Sequence, residues 1–273
     1  MKSNSDIILH KMSGAGNTFV LLDFIQKNES FQFNRSQLAK QICDPVLGVS
    51  ADGFIVLEKS IDNKYFWDFY NNDGSSAEAC GNASRCVSRY LIDFYESAQG
   101  EVQFQTIVGP IQGRHHSDLK YVVNMPAIQD ITPQEFDFSV IDSGVPHVVV
   151  EVDSVETFLD EGHLLEVAHD YRFHPELGKA GANISFYLPI GKSFLRAVTF
   201  ERGVEGFTQA CGTGAIAVAY VNYLKNKSLQ TQVQMPGGLL EVDFSQSTER
   251  PLLIGRADYI CEIRLKRGNY EIT

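Results

Sequence analysis

The chain has 273 residues, a length that suits one large domain or two of ordinary size. With 44% hydrophobic and 11% aromatic residues it has the apolar side chains to fill a core, which excludes a disordered chain. Its formal net charge is −11 and no basic block exceeds pairs such as Lys266-Arg267, so nucleic acid is excluded as an expected partner and the acidity reads as a solvated surface.

In chain order, residues 7–22 read as a strand, a glycine turn at 12–17 and a second strand. Gly14-x-Gly16 hints at a dinucleotide loop, but Phe19 takes the third small position and a β-rich run follows where a helix is needed. The spacing of Leu38, Ala39 and Ile42 predicts a short helix over 36–43. Residues 54–57 form a buried-type strand, and 64–70, with the only tryptophan, Trp67, an aromatic one. Residues 71–75 are turn chemistry out of register with a calcium loop. A helix is expected from Cys80 to about Tyr95, then strands at 102–106 and 119–125. Residues 138–152 hold a turn at 142–147 that leads into the Val148-Val149-Val150 strand. The remainder predicts one helix over 155–169, strands at 182–188 and 194–200, and a turn at 201–206. A second helix from Cys211 to about Lys225, a hairpin around Pro236-Gly237-Gly238 and a half-buried last strand over 260–265 complete it.

The cysteines are Cys43, Cys80, Cys86, Cys211 and Cys261, an odd number spread widely and without a CxxC pair. That pattern predicts neither a disulfide framework nor a structural zinc site. The apolar run at 7–9 is too short for a signal-peptide core, and no stretch approaches bilayer length, so a cytoplasmic protein with no membrane partner is expected. Cys43, Cys86 and Cys261 read as buried small hydrophobes.

Cys80 and Cys211 differ from these. Glu78-Ala79-Cys80-Gly81-Asn82 and Gln209-Ala210-Cys211-Gly212-Thr213-Gly214 each put a cysteine ahead of small residues that open a helical pattern. The unpaired N–H groups and positive dipole end of a helix start favour a thiolate or a bound carboxylate. The two motifs lie about half the chain apart, and the elements around them recur in one order. Each half has an asparagine-bearing strand (Asn17, Asn183), a polar turn, a cysteine helix and a Val-Gln strand. The expected fold is α/β (α+β), with two pseudo-symmetric domains, each a β-rich wrap around a central helix. The first spans 1–125 and carries Cys80; the second spans 126–273 and carries Cys211, and the C-terminal strand is able to cross back. The active site is expected in the cleft between them, with the two thiols facing one another.

At these residues the sequence resembles the diaminopimelate epimerases, amino-acid epimerases that work without pyridoxal phosphate. The resemblance covers nearly the whole chain. One signature runs from Asn71-x-Asp73-Gly74-Ser75 through Cys80-Gly81-Asn82 to Arg85-Cys86, and the other from Glu201-Arg202-Gly203 to Thr208-x-Ala210-Cys211-Gly212-Thr213-Gly214. Gly16-Asn17, Ala51-Asp52-Gly53, Pro146-His147, Ala182-Asn183 and Pro236-Gly237-Gly238 also match. The related proline racemases usually carry a histidine where this chain has Asn82.

The resemblance implies epimerisation of LL-2,6-diaminopimelate to the meso form, serving lysine and peptidoglycan synthesis. Cys80 and Cys211 would be the two acid/base thiols, with His147 and Glu201 assisting them. Backbone N–H groups at Gly81-Asn82 and Gly212-Thr213 would hold the α-carboxylate, and Asn17, Asn71, Asn183 and Arg202 the rest of the substrate. No cofactor and no metal are implied, the partner is a small amino acid, and the expected assembly is a homodimer. Three positions depart from the pattern. Val145 stands where the family has an asparagine that helps hold the distal end of the substrate. Ala83 replaces a glycine. One extra residue lies between Arg202 and Cys211, for which a bulged turn is expected. Val145 keeps a racemase of another amino acid open as an alternative. From other classes, a hydrolase using one cysteine with His147, or a non-catalytic small-molecule binding protein, also remain.

Overall fold

The computed structural model describes residues 7–26, 33–77, 80–132 and 138–265. Glu78 and Ala79 of the first motif and Lys266-Arg267 lie outside them. The chain is mixed α and β, strand-rich, and divides into two compact units. One comprises residues 1–121 and 257–273, the other 122–256.

In the first unit, β1 (Ile7–Gly14) and β2 (Asn17–Asp23) form an antiparallel hairpin. Helix α1 (Arg35–Cys43) carries the chain to β3 (Gly53–Lys59), which lies parallel to β2 and antiparallel to β4 (Tyr65–Asn71). Helix α2 (Gly81–Phe94) then leads to β5 (Glu101–Thr106), parallel to β4, and β5 turns back into β6 (Gly109–Ser117). Strand β7 (Lys120–Asn124) contains the division, and the last strand, Asp258–Leu265, returns to pair with β1. Alternation along β2 and β3 sorts their side chains to two covered faces. Phe19, Leu21, Ile55 and Leu57 pack with Val87, Tyr90 and Leu91 of α2. Val20, Leu22, Phe54 and Val56 pack with Leu38, Ala39 and Ile42 of α1. Ten of the fourteen residues of α2 are buried, so this helix is enclosed rather than laid on a surface.

The second unit opens with β8 (Gln129–Asp130), which pairs with β9 (Ser139–Asp142). From β9 onward it repeats the first unit's order. Strand β10 (Pro146–Glu151) is antiparallel to β9 and parallel to β11 (Asn183–Gly191), which is antiparallel to β12 (Phe194–Glu201). The short β13 (Gly206–Phe207) folds back on β12. Helix α5 (Gly212–Asn226), which follows Cys211, crosses to β14 (Gln230–Met235), parallel to β12, and β15 (Gly238–Asp243) and β16 (Leu252–Arg256) finish the sheet. Ile184, Phe186 and Phe200 pack with Leu164 and Ala168 of the helices joining β10 to β11.

The structure corrects the sequence reading at three places. The helix expected over 155–169 is two, α3 (Val155–Leu159) and α4 (Glu161–Arg172). Asp160 breaks it because its carboxylate caps α4 by accepting from the His163 N–H at 3.1 Å, and continuing the helix would forfeit that cap. The last strand is largely exposed rather than half buried, and Ile260 is 49% exposed. Cys261, expected inside, is exposed with it, whereas Cys43 and Cys86 are buried and burial pushes both thiols up to about 12. Strands β6 and β16 lack the apolar alternation that marks a strand in sequence and appear only in the structure.

Candidate active site

Each unit places its motif cysteine as the N-cap of its enclosed helix. Cys80 is extended (φ −152°, ψ 117°), and its Sγ accepts from the Ala83 N–H at 3.5 Å. Cys211 is extended (φ −113°, ψ 113°), and its Sγ accepts from the Gly214 N–H at 3.4 Å. A sulfur thus stands where a serine or aspartate oxygen ordinarily caps, against the positive end of the helix, where negative charge on sulfur is favoured. Gly81 and Asn82, and Gly212 and Thr213, occupy the first helical positions, whose N–H groups have no partner within the helix.

Around Cys80, Asn82 is buried, donates to Asn17 Oδ1 at 2.7 Å and accepts from Arg85 at 2.5 Å. Arg85 has no exposed surface and also donates to the Gly81 carbonyl at 3.2 Å. Burial lowers its pKa to about 10. Gly14 passes so close above the helix start that a Cβ there would lie 2.7 Å from the Asn82 carbonyl oxygen. Asn71, the exposed last residue of β4, donates to Ser75 Oγ at 3.0 Å, and the turn that follows it is tied to the Asn17 end of β2 through Asp52. Asp52 accepts from the Thr18 N–H at 2.7 Å through its side chain and from the Asn72 N–H at 3.1 Å through its carbonyl.

Around Cys211, strand register assembles the partners. Parallel pairing sets His147 of β10 beside Asn183 of β11, and antiparallel pairing sets Ser185 beside Thr199 of β12. His147 is fully buried, with Nδ1 2.9 Å from Ser185 Oγ and Nε2 3.0 Å from Thr213 Oγ1 and 3.3 Å from Asn183 Nδ2. Burial, helped by the positive charge of Arg202, pushes its pKa down to about 3, so the ring is neutral. Thr213 Oγ1 lies 3.3 Å from Cys211 Sγ. Glu201 accepts from Thr208 Oγ1 and from the Cys211 thiol, and burial raises its carboxyl above the ordinary range against those two bonds. Arg202 is exposed; its N–H donates to Asn183 Oδ1 at 2.7 Å.

The structure thus gathers Asn17, Gly81 and Asn82 about Cys80. It gathers His147, Asn183, Glu201, Arg202, Gly212 and Thr213 about Cys211 within the second unit. Sequence reasoning missed four supporting residues: Ser185, Thr199, Thr208 and Arg172. Arg172, buried on α4, grips Glu205 with bonds of 2.7 and 3.1 Å and the Ala180 carbonyl at 2.9 Å, and so anchors the turn that carries Arg202. Glu205, at φ 53°, takes the left-handed position in that turn. Polar residues at alternate positions of covered strands, as in Asn183-Ile184-Ser185-Phe186, are the one signal in the sequence for Ser185. Among the described residues no group of three or more metal-ligating side chains is found.

Residues 9–128 and 139–260 match the diaminopimelate epimerase family. A diaminopimelate epimerase from Aquifex aeolicus (strain VF5) is 34% identical over 276 residues, covering 93% of this chain and 96% of the relative. The chain belongs to the diaminopimelate epimerase family, and so to the isomerases. The whole fold is shared more widely. A phenazine biosynthesis PhzC/PhzF protein from Clostridium difficile (strain 630) superposes with a TM-score of 0.69 at 12% identity, covering 95% of this chain and 99% of that one. A hydroxyproline epimerase from Agrobacterium vitis superposes with a TM-score of 0.63 at 14% identity, covering 97% and 94%. No helix among the described residues is long and apolar enough to cross a membrane.

Proposed function

We propose that the chain interconverts LL- and meso-2,6-diaminopimelate by two-base proton transfer between Cys80 and Cys211. The α-hydrogen of an amino acid is a weak acid, and inverting its carbon requires a base on one face and an acid on the other. A thiolate removes the proton, a thiol returns one from the opposite side, and the two exchange roles for the reverse reaction. The observation that carries this reading is the duplication of one device. Each unit has a cysteine that caps an enclosed helix, and the cysteine is the one nucleophilic side chain that the two motifs share.

The chain's own groups supply the remainder. The first N–H groups of α2 and α5 are donors for the α-carboxylate and for the charge that develops on it as the proton leaves. Glu201, buried beside Cys211, accepts the S–H of that thiol and holds it in place until its proton passes to the substrate carbon. Arg202, exposed beside this network, is fitted to a carboxylate by its bidentate fork. A hydrolase pairing Cys211 with His147 is disfavoured, because both ring nitrogens are engaged by Ser185, Thr213 and Asn183 and the ring stays neutral.

The test is the pair of variants Cys80→Ala and Cys211→Ala, assayed with LL-diaminopimelate in both directions. Each is expected to lose epimerisation by at least about 10³-fold, the scale of a missing acid or base. A single variant that retained full turnover would overturn the two-thiol reading.

A further inference from the structure

One fixed donor, the Arg202 N–H, orients the hydrogen bonds around His147, and that orientation assigns a task to Thr213. The Arg202 N–H can only donate, so the atom of Asn183 it meets at 2.7 Å is the amide oxygen, and the amide nitrogen must face His147. That nitrogen can only donate, so His147 Nε2 carries no proton and Nδ1 does. The Nδ1–H points to Ser185 Oγ at 2.9 Å, and Ser185 is bonded to Thr199 Oγ1 at 3.0 Å. The Thr213 hydroxyl therefore has one proton and two acceptors to choose from, the bare His147 Nε2 at 3.0 Å and the Cys211 sulfur at 3.3 Å.

We propose that Thr213 is a positioning residue for the Cys211 thiol, its hydroxyl turning between His147 Nε2 and Cys211 Sγ, and that Ser185 and Thr199 hold the imidazole in the tautomer that allows this. The inference rests on the two-base reading, in which Cys211 is a thiol in one direction and a thiolate in the other. With the sulfur protonated, Thr213 donates to Nε2, and the S–H is taken by Glu201. With the sulfur ionised, Thr213 donates to Sγ, and Nε2 keeps the Asn183 N–H. The ionised sulfur thus accepts from the Thr213 hydroxyl as well as from the Gly214 N–H at 3.4 Å, a second hydrogen bond to the charged form, while Nε2 is never left without a donor. No proton leaves Thr213, and the thiol's proton passes to the substrate carbon. Of the titratable groups at this site, Glu201 and Arg202 come from the end of β12 and His147 from β10. The Thr213 backbone is fixed by Ser143, whose hydroxyl donates to its carbonyl at 2.9 Å, leaving only the side chain to turn.

Two measurements test this. Nitrogen-15 NMR of the wild-type imidazole between pH 6 and 9 is expected to show His147 protonated at Nδ1 and bare at Nε2; the opposite tautomer, or an imidazolium, would overturn the proposal. The second reads the pH dependence of Cys211 alkylation by peptide mass spectrometry in a Cys80→Ala background, which needs no substrate. Thr213→Val is expected to raise the midpoint by about one pH unit, the effect of removing one hydrogen bond to a charged group. Thr213→Ser, which keeps the hydroxyl, is expected to match the parent. An unchanged midpoint in Thr213→Val, or an equal shift in Thr213→Ser, would contradict it. Failure of the wild type to exchange an α-proton would instead sink the two-base reading and leave these two results standing.

Discussion

Burial and the neighbouring Arg202 charge keep His147 neutral down to about pH 3. The unfolded chain takes up that proton near 6.5, so between the two values the unfolded state binds more protons and stability rises with pH. The contribution is fully present above about 6.5 and is lost as the pH falls toward 3, with a slope approaching about 1.4 kcal/mol per pH unit. His147→Gln removes that slope. Urea unfolding at pH 7, 6 and 5 should show the wild type losing more stability than the variant over this range; parallel losses would mean the imidazole is already charged in the fold. This much could not be read from Pro146-His147 alone. The motif marks the residue, but its neutrality comes from burial and from Arg202, and the partners of its ring, Ser185, Asn183 and Thr213, are brought to it from two further stretches, β11 and the start of α5.

Among the elements, the two enclosed helices depend on what lies against their first turns. A Cβ on Gly214 would sit 2.4 Å from Thr199 Oγ1 and 2.9 Å from Ser185 Oγ, inside the hydroxyl pair that holds His147. Gly214→Ala is therefore expected to cost about 1–3 kcal/mol and to lower turnover. A thermal melt and a kinetic assay check both, and an unchanged melting temperature would show that the strands yield freely. The turn after β12 makes a separate case. Arg172 reaches it from α4 and bonds Glu205, which also accepts from the Gly203 N–H at 2.9 Å. Glu205→Gln loosens the turn bearing Arg202, so KM should rise several-fold while kcat changes little; an equal fall in kcat would place the turn in the chemistry. The helices and most strands were legible because their apolar spacing follows the period of the element, as in residues 36–43 and 54–57. The break at Asp160 was not, because the apolar spacing continues across it and only the cap interrupts the backbone.

At the scale of the molecule, the recurrence visible in the sequence is a recurrence of topology. Both units run antiparallel, parallel through a helix, antiparallel, parallel through a cysteine-capped helix, antiparallel. Composition and motif order carried that far. The route of the last strand back to β1 is a long-range pairing with no local signal. Truncation after Arg256 would leave β1 an unpaired edge on one side. Hydrogen exchange should then quicken in β1 and α2 while α5 keeps its protection, and uniform loss in both units would contradict their division. The most direct test of the central claim is proton NMR of the reduced enzyme with LL-diaminopimelate in heavy water. Two thiols of opposite protonation predict loss of the α-proton signal, deuterium in the meso product, and no exchange in either single cysteine variant. A substrate that keeps its α-proton, or full exchange with one thiol removed, would contradict the account.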